Sequence, residues 1–175
     1  TADPDGNISM EREALRLDNL AQAQAAKNSG GIVIAQVERI VGCGEIPSRL
    51  VEVPGAIVDA VVLASPENHV QTFATNYSPF LDGSERMNMS TGEDYPLSAR
   101  KVIARRASLE LPMEGGIVNL GIGVPEGVAK VASEQGWLNR MTLTAEPGVV
   151  GGQPASGLDF GTARNTDAII AQNQQ

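Results

Sequence analysis

A chain of 175 residues with 42% hydrophobic and 19% charged side chains is long enough to bury roughly two thirds of its extended surface, and its composition is neither fibrous nor disordered. The formal charge of -8, from 13 basic and 21 acidic residues, is the wrong sign for neutralising a phosphate backbone, so no nucleic-acid partner is expected. One cysteine, Cys43, and one histidine, His69, provide neither an internal disulfide nor zinc spacing; a cytoplasmic protein with no metal is the expectation.

Taken in chain order, "SMEREALRLDNLAQAQAAKN" (9–28) offers Ser9 as a candidate N-cap, acids in the first turn and Leu17, Leu20 and Ala21 at helical spacing. A helix ending at "SGG" is predicted. "GIVIAQVERIV" (31–41) and "VPGAIVDAVVLA" (53–64) are β-branched runs of the kind found in parallel strands covered on both faces. Both are far shorter than the roughly 20 residues that cross a bilayer, and "TADPDGNIS" has no signal-peptide layout; no membrane association is expected. From 65 to 96 the chain is polar, aperiodic and carries Phe73, Tyr77, Phe80 and Tyr95, which reads as a long connection between folded parts. His69 reads as a surface loop residue, and Cys43 as a small buried or turn residue.

"LSARKVIARRASLEL" (97–111) predicts an amphipathic helix, with Val102, Ile103, Ala107 and Leu109 set against Arg100, Lys101, Arg105 and Arg106. Its basic side is a solvated face or a site for an anionic ligand. Next comes a strand, "GIVNL", then a glycine loop, "GIGVPEG", a helix opening at Pro125, a second strand, "MTLTA", and a glycine-rich turn carrying Glu146. A helical crossover makes the two strands parallel. An α/β fold is expected, an open and mostly parallel sheet with flanking helices. The tail "QNQQ" is polar and low in complexity.

Two features carry chemistry. Gly121 and Gly123 stand where the backbone leaves a strand for a helix N-terminus, a place suited to phosphate or carboxylate; a tight turn without ligand is the plain alternative. Gly121, Gly123 and Gly127 nearly copy a dinucleotide fingerprint, but the spacing is off by one and the strand bearing Glu146 runs into "EPGVVGG" and not a helix. The second feature is Glu146 itself. With one histidine and no G-x-S-x-G elbow, hydroxyl or thiol nucleophiles lack support. A carboxylate is ionised at neutral pH and attacks an activated carbonyl with no base. Standing alone, Glu146 would read as a solvated turn residue.

Together, "NLGIGVPEGVA" (119–129) and "LTAEPGVVGGQPASGLDFG" (143–161) resemble the glutamate-dependent CoA-transferases, in the acetate or propionate branch that is also similar to succinyl-CoA:ketoacid transferases. "TADPDGNISMEREA", "AAKNSGGIVIAQVERI" and "PENHVQTFA" look like the same branch, so the resemblance spans nearly the whole chain. It implies two partial α/β domains: residues 1–64 ending an N-terminal domain, 65–96 connecting, and 97–175 beginning a C-terminal domain with the catalytic glutamate. It implies Glu146 as nucleophile, Asn119 as a residue that could orient it, and Asn119, Gly121, Gly123 and Gly148 beside coenzyme A. The substrates implied are an acyl-CoA and a short-chain carboxylic acid, with no permanently bound cofactor. The partners implied are the remainder of the transferase polypeptide and further copies in a homo-oligomer. Acyl-CoA hydrolysis on the same glutamate and a non-catalytic CoA- or nucleotide-binding module remain alternatives. One departure concerns the motif: the family's E-N-G or E-x-G is here Glu146-Pro147-Gly148, which removes a backbone donor at 147. The other is that the family's G-x-G-G loop and N-terminal half have no counterpart in the sequence, as expected of a central fragment.

Overall fold

The computed structural model describes residues 1–88, 94–112 and 114–171; the polar tail noted above and residues 89–93 of the connection lie outside the described residues. The first half contains β1 (Ile8–Ser9), α1 (Asn19–Asn28), β2 (Ile34–Val37), β3 (Val51–Val53) and β4 (Ala60–Leu63). The second contains α2 (Ala99–Ser108), β5 (Gly116–Asn119), α3 (Glu126–Glu134), β6 (Met141–Ala145), β7 (Val149–Val150), β8 (Gln153–Pro154), β9 (Ala163–Arg164) and β10 (Ala168–Ile169). The class is α/β, as expected. Ladder direction follows connection length. The α3 crossover joins β5 to β6 in parallel, with Asn119 opposite Thr144, and β2 runs parallel to β4. The short turn after β6 makes β7 antiparallel, and β10 closes that sheet in the order β10-β7-β6-β5. The small ladders β1-β3 and β8-β9 are also antiparallel.

The helix expected over 9–28 forms only from Asn19, with Asp18 at its N-cap and no side-chain cap bond. Ser9 lies instead in β1, buried against β3. Tertiary bonds redirect the segment between them: Arg12 pairs with Glu38 at 3.2 Å, and Arg16 with Glu52 at 2.5 Å. Of the apolar positions proposed for this helix, Leu17 and Ala21 are exposed, and Ala23 is its buried residue.

The parallel pairing of the two β-branched runs is found, but they are not covered on both faces. Ala35, Val37 and Val61 pack with Ile8, Ala23 and Val53, whereas Ile34 and Val62 on the opposite face are exposed. A pair of parallel strands has only one layer against it here, although such strands ordinarily need two.

Helix α2 forms with Ser98 as its N-cap, accepting from the Lys101 amide, and Arg100, Arg105 and Arg106 are exposed as expected, but the apolar side chains are not the buried ones. Lys101, Ala104 and Ser108 are buried, while Val102, Ile103 and Leu109 are exposed. The reason is close helix packing: a Cβ at Gly127 in α3 would stand 3.1 Å from the Ala104 Cβ, so small residues meet at the crossing. Lys101 buries its stem and donates from Nζ to the Tyr95 carbonyl and, at 2.7 Å, to Glu134, which satisfies the charge that burial would otherwise leave alone. The rest of the second half packs through Val118, Ala129, Met141 and Leu143, and through Ala145, Val149 and Ala163.

Candidate active site

The site is built where β5 and β6 end side by side. Asn119 and Thr144 are register partners, and the Leu120 amide donates to the Thr144 carbonyl at 3.4 Å. Gly121 and Glu146 are each two residues beyond that pair, so the glycine loop and the glutamate turn leave the same edge of adjacent strands. Ligands of α/β sheets bind outside such carboxyl ends. Asn119 shares the sheet face of Thr144, opposite to buried Val118 and Leu143, and is itself exposed.

Glu146 is exposed in the turn between β6 and β7, and among the described residues no hydrogen bond or ion pair engages its carboxylate. Asn119 therefore shares an edge with it but does not bond to it. Pro147 disfavours the helical region at the residue before it, biasing Glu146 to continue the extended course of β6. Gly148 closes the turn, its amide donating to the Ala145 carbonyl at 3.1 Å. Its φ is +102°, and a Cβ there would collide with the Ile170 carbonyl oxygen. The backbone itself requires glycine here, since Ile170, directly after β10, passes over it.

In the other loop, Gly123 has φ +87° with open space where a Cβ would stand. Its amide donates at 2.9 Å to the Glu126 carboxylate in the first turn of α3, so the chain's own acid occupies one of the donors that suggested an anion site. Pro125 stands at the N-cap of α3, one place before the expected first helical position, a difference within the normal scatter of helix boundaries. Gly121 has only the Pro125 Cγ, at 3.7 Å, near a built Cβ, leaving its outer side open to close approach.

The basic residues of α2 do not gather into an anion site. Lys101 is paired inside with Glu134, Arg105 lies 3.8 Å from the same carboxylate, and Arg106 pairs with Glu110 at 2.6 Å. A cavity of about 460 Å³ lies elsewhere, lined in part by Tyr95, Lys130, Ser133, Asp159 and Arg164 and by none of Asn119, Gly121, Gly123, Glu146 or Gly148. Cys43 is exposed, and His69 is half-buried, its Nδ1 3.1 Å from the Gln36 amide nitrogen and its Nε2 3.8 Å from Glu13. Among the described residues, no group of three or more histidine, cysteine or acidic side chains could hold a metal ion, and no helix is long and apolar enough to cross a membrane.

Sequence reasoning missed Glu126, Asp159 and Asn165. The first has a local signal, an acid three residues after Gly123 at a helix start. The other two act across the chain. Asp159 accepts from the Thr72 and Thr75 hydroxyls, and Asn165 exchanges two hydrogen bonds with the backbone of Met87. Neither pairing has a local sequence signal.

Residues 1–64 match the family model described as Coenzyme A transferase. The chain is 46% identical over 171 residues to the caffeate CoA-transferase of Acetobacterium woodii, covering 97% of this chain and 32% of that protein. It is 36% identical over 175 residues to the acetate CoA-transferase YdiF of Escherichia coli O157:H7, covering 100% of this chain and 33% of that protein. Crystal structures of the acyl-CoA transferase YdiF from the same organism superpose with TM-scores of 0.84 for the apoenzyme and 0.83 for a thioester complex with CoA. Identity is 33% and 32%, over 99% of this chain and 31% and 32% of those chains, respectively. The chain thus spans about a third of the length of the curated relatives it matches. One end of the chain matches the family model and its full length aligns with transferases in sequence and in structure, so the chain is similar throughout to part of a coenzyme A transferase.

Proposed function

We propose that this chain is the glutamate-bearing part of an acyl-CoA:carboxylate CoA-transferase acting on short-chain acids, with residues 1–64 and 97–175 belonging to two α/β domains connected by 65–96. The observation that carries the reading is the position of Glu146: an exposed carboxylate with no partner among the described residues, in the turn after β6 and beside the open glycine loop after β5. The relative whose structure is described as a thioester complex with CoA supports a covalent route.

In that route the Glu146 carboxylate attacks the acyl-CoA carbonyl, the C–S bond breaks, and an acyl-glutamyl anhydride forms with release of CoA thiolate. The thiolate attacks the glutamyl carbonyl, expels the first acid as carboxylate and leaves a glutamyl-CoA thioester. A second carboxylate attacks that thioester, giving a new anhydride and thiolate; attack of the thiolate on the new acyl carbonyl yields the product acyl-CoA and restores Glu146. No redox partner or ATP is needed, because one thioester is exchanged for another. Each attack creates an oxyanion that needs donors, and binding of the remote parts of CoA can offset the cost of forming reactive intermediates. Pro147 supplies no amide for this purpose, so the donors come from elsewhere in the complete polypeptide. Asn119, Gly121, Gly123 and Gly148 are the residues we assign to the CoA side of the site. Cytoplasmic location and homo-oligomeric assembly belong to the same reading.

The test is to incubate the full-length polypeptide with acetyl-CoA, reduce with borohydride and map the peptides. A thioester at Glu146 becomes a primary alcohol at that residue, and Glu146→Gln should abolish both the mark and acyl exchange, lowering kcat by at least about a thousandfold. Exchange surviving in Glu146→Gln at the wild-type rate rejects the reading. The exposure of Glu146 favours a second outcome, water in place of the acceptor acid. Labelled acid appearing in the CoA ester distinguishes transfer from hydrolysis.

A further inference from the structure

We propose that Asn165 is a positioning residue for the Glu146 turn, acting as a clamp that fastens the outer strand β10 to the loop ending at Met87. This rests on the reading of Glu146 as the acyl acceptor. Among the described residues every positive-φ position is a glycine except Asn165, at φ 57°. A side chain in that region costs energy that asparagine tolerates better than most residues, so something must favour asparagine over the freer glycine. Its amide supplies the answer. Asn165 Oδ1 accepts from the Met87 amide at 2.7 Å while Nδ2 donates to the Met87 carbonyl at 2.9 Å, across a separation of 78 residues. Only a side chain with both a donor and an acceptor satisfies both backbone groups.

The corner made by Asn165 lies between β9 and β10, and the segment after it is bonded stepwise to the glutamate hairpin. The Asp167 amide donates to the Val150 carbonyl at 2.9 Å, Ala168 and Ile169 pair with Val150 and Val149, and the Ile170 amide donates to the Gly148 carbonyl at 2.9 Å. Gly148 is the last residue of the turn that holds Glu146. The strand is too short to hold itself: β7 and β10 have two residues each. On the Met87 side, Arg86 reaches the Thr166 carbonyl and Asp167 only at 3.3 and 3.4 Å from an exposed position, so the asparagine pair is the stronger tie. A loop from before α2 thereby fixes the outer edge of the turn, and its loss would misplace the carboxylate.

The experiment uses the full-length polypeptide with Asn165→Gly, which keeps the left-handed backbone and removes both bonds, and Asn165→Asp, which sets a second oxygen against the Met87 carbonyl. Native-state amide exchange at Ile170 should rise about tenfold or more in both variants while the core amide of Leu143 is unmoved. Transfer should lose about tenfold in kcat with KM for acetyl-CoA within about twofold, the pattern of a misplaced reacting group. Unchanged Ile170 exchange in both variants overturns the clamp whatever the activity does, and a rise in KM at constant kcat overturns its positioning role. Glu146→Gln assayed alongside separates the two readings, because transfer surviving that change removes the glutamate as acceptor while Ile170 exchange still decides whether Asn165 holds β10.

Discussion

At the scale of single residues, Gly148 and Gly123 differ in what their surroundings demand of them. Gly148 is required by its own backbone: φ is +102° and the Ile170 carbonyl fills the space a Cβ would take. Gly148→Ala should destabilise the protein by more than about 1 kcal/mol, because strain at positive φ adds to a collision with backbone that cannot move without breaking the β7-β10 ladder. A denaturation midpoint equal to wild type would mean that β10 is not held as described. Gly123 meets nothing where its Cβ would stand; what holds it is the Glu126 carboxylate on its amide. Glu126→Ala should therefore cost about 1 kcal/mol, the usual magnitude for a helix-start side-chain bond, and Glu126→Gln should recover most of it, both read from urea unfolding. Equal loss in the two variants would show that the amide-accepting oxygen is not what matters.

At the scale of elements, the sequence was most legible where pattern and contact agree. The β5-α3-β6 unit follows directly from "GIVNL", a glycine loop, a helical run and "MTLTA", because β6 alternates buried and half-buried residues in a true strand period. Leu143 is almost wholly buried at its centre, and Leu143→Ala should cost about 2–5 kcal/mol in thermal or urea unfolding. The edge position of Glu146 and the two glycines was legible for the same reason, since strand ends fix where loops emerge. What pattern misassigned depended on distant partners. The helical spacing of 9–18 was overridden by Arg12-Glu38, Arg16-Glu52 and the β1-β3 ladder, and α2 buries Lys101 because Glu134 and the Tyr95 carbonyl await it. No local hydrophobic period encodes a buried lysine with its partner 33 residues away.

At the scale of the whole molecule, the buried members of each apolar cluster lie within one half, Leu15 alone among the packed neighbours given for them crossing from the first half to Ala145, Val149 and Ala163, and polar bonds from the 65–88 stretch reach both halves. Gln71 donates to the Arg12 carbonyl, the Thr72 and Thr75 hydroxyls donate to Asp159, and Met87 pairs with Asn165. The connection is thus a strap bonded at both sides, and its first anchorage contains a titratable weak point. Burial pushes the Glu13 carboxyl up; His69, 3.8 Å away, pulls it down in part, and the like charges of Glu38 and Glu11 add to the rise. Because the folded value lies above the ordinary 4.5, folding favours the protonated acid. Stability from this group is complete below the ordinary value and is lost as pH rises through the folded one. Glu13→Gln, which fills the same space without charge, should melt higher than wild type at pH 7, and the difference should shrink as the pH falls toward the ordinary carboxylate range. Calorimetry of the two proteins across that range decides the matter: a glutamine variant that melts lower at pH 7 would mean that the attraction of His69 outweighs the cost of burying the charge, and that this end of the strap is an ion pair and not a strained acid.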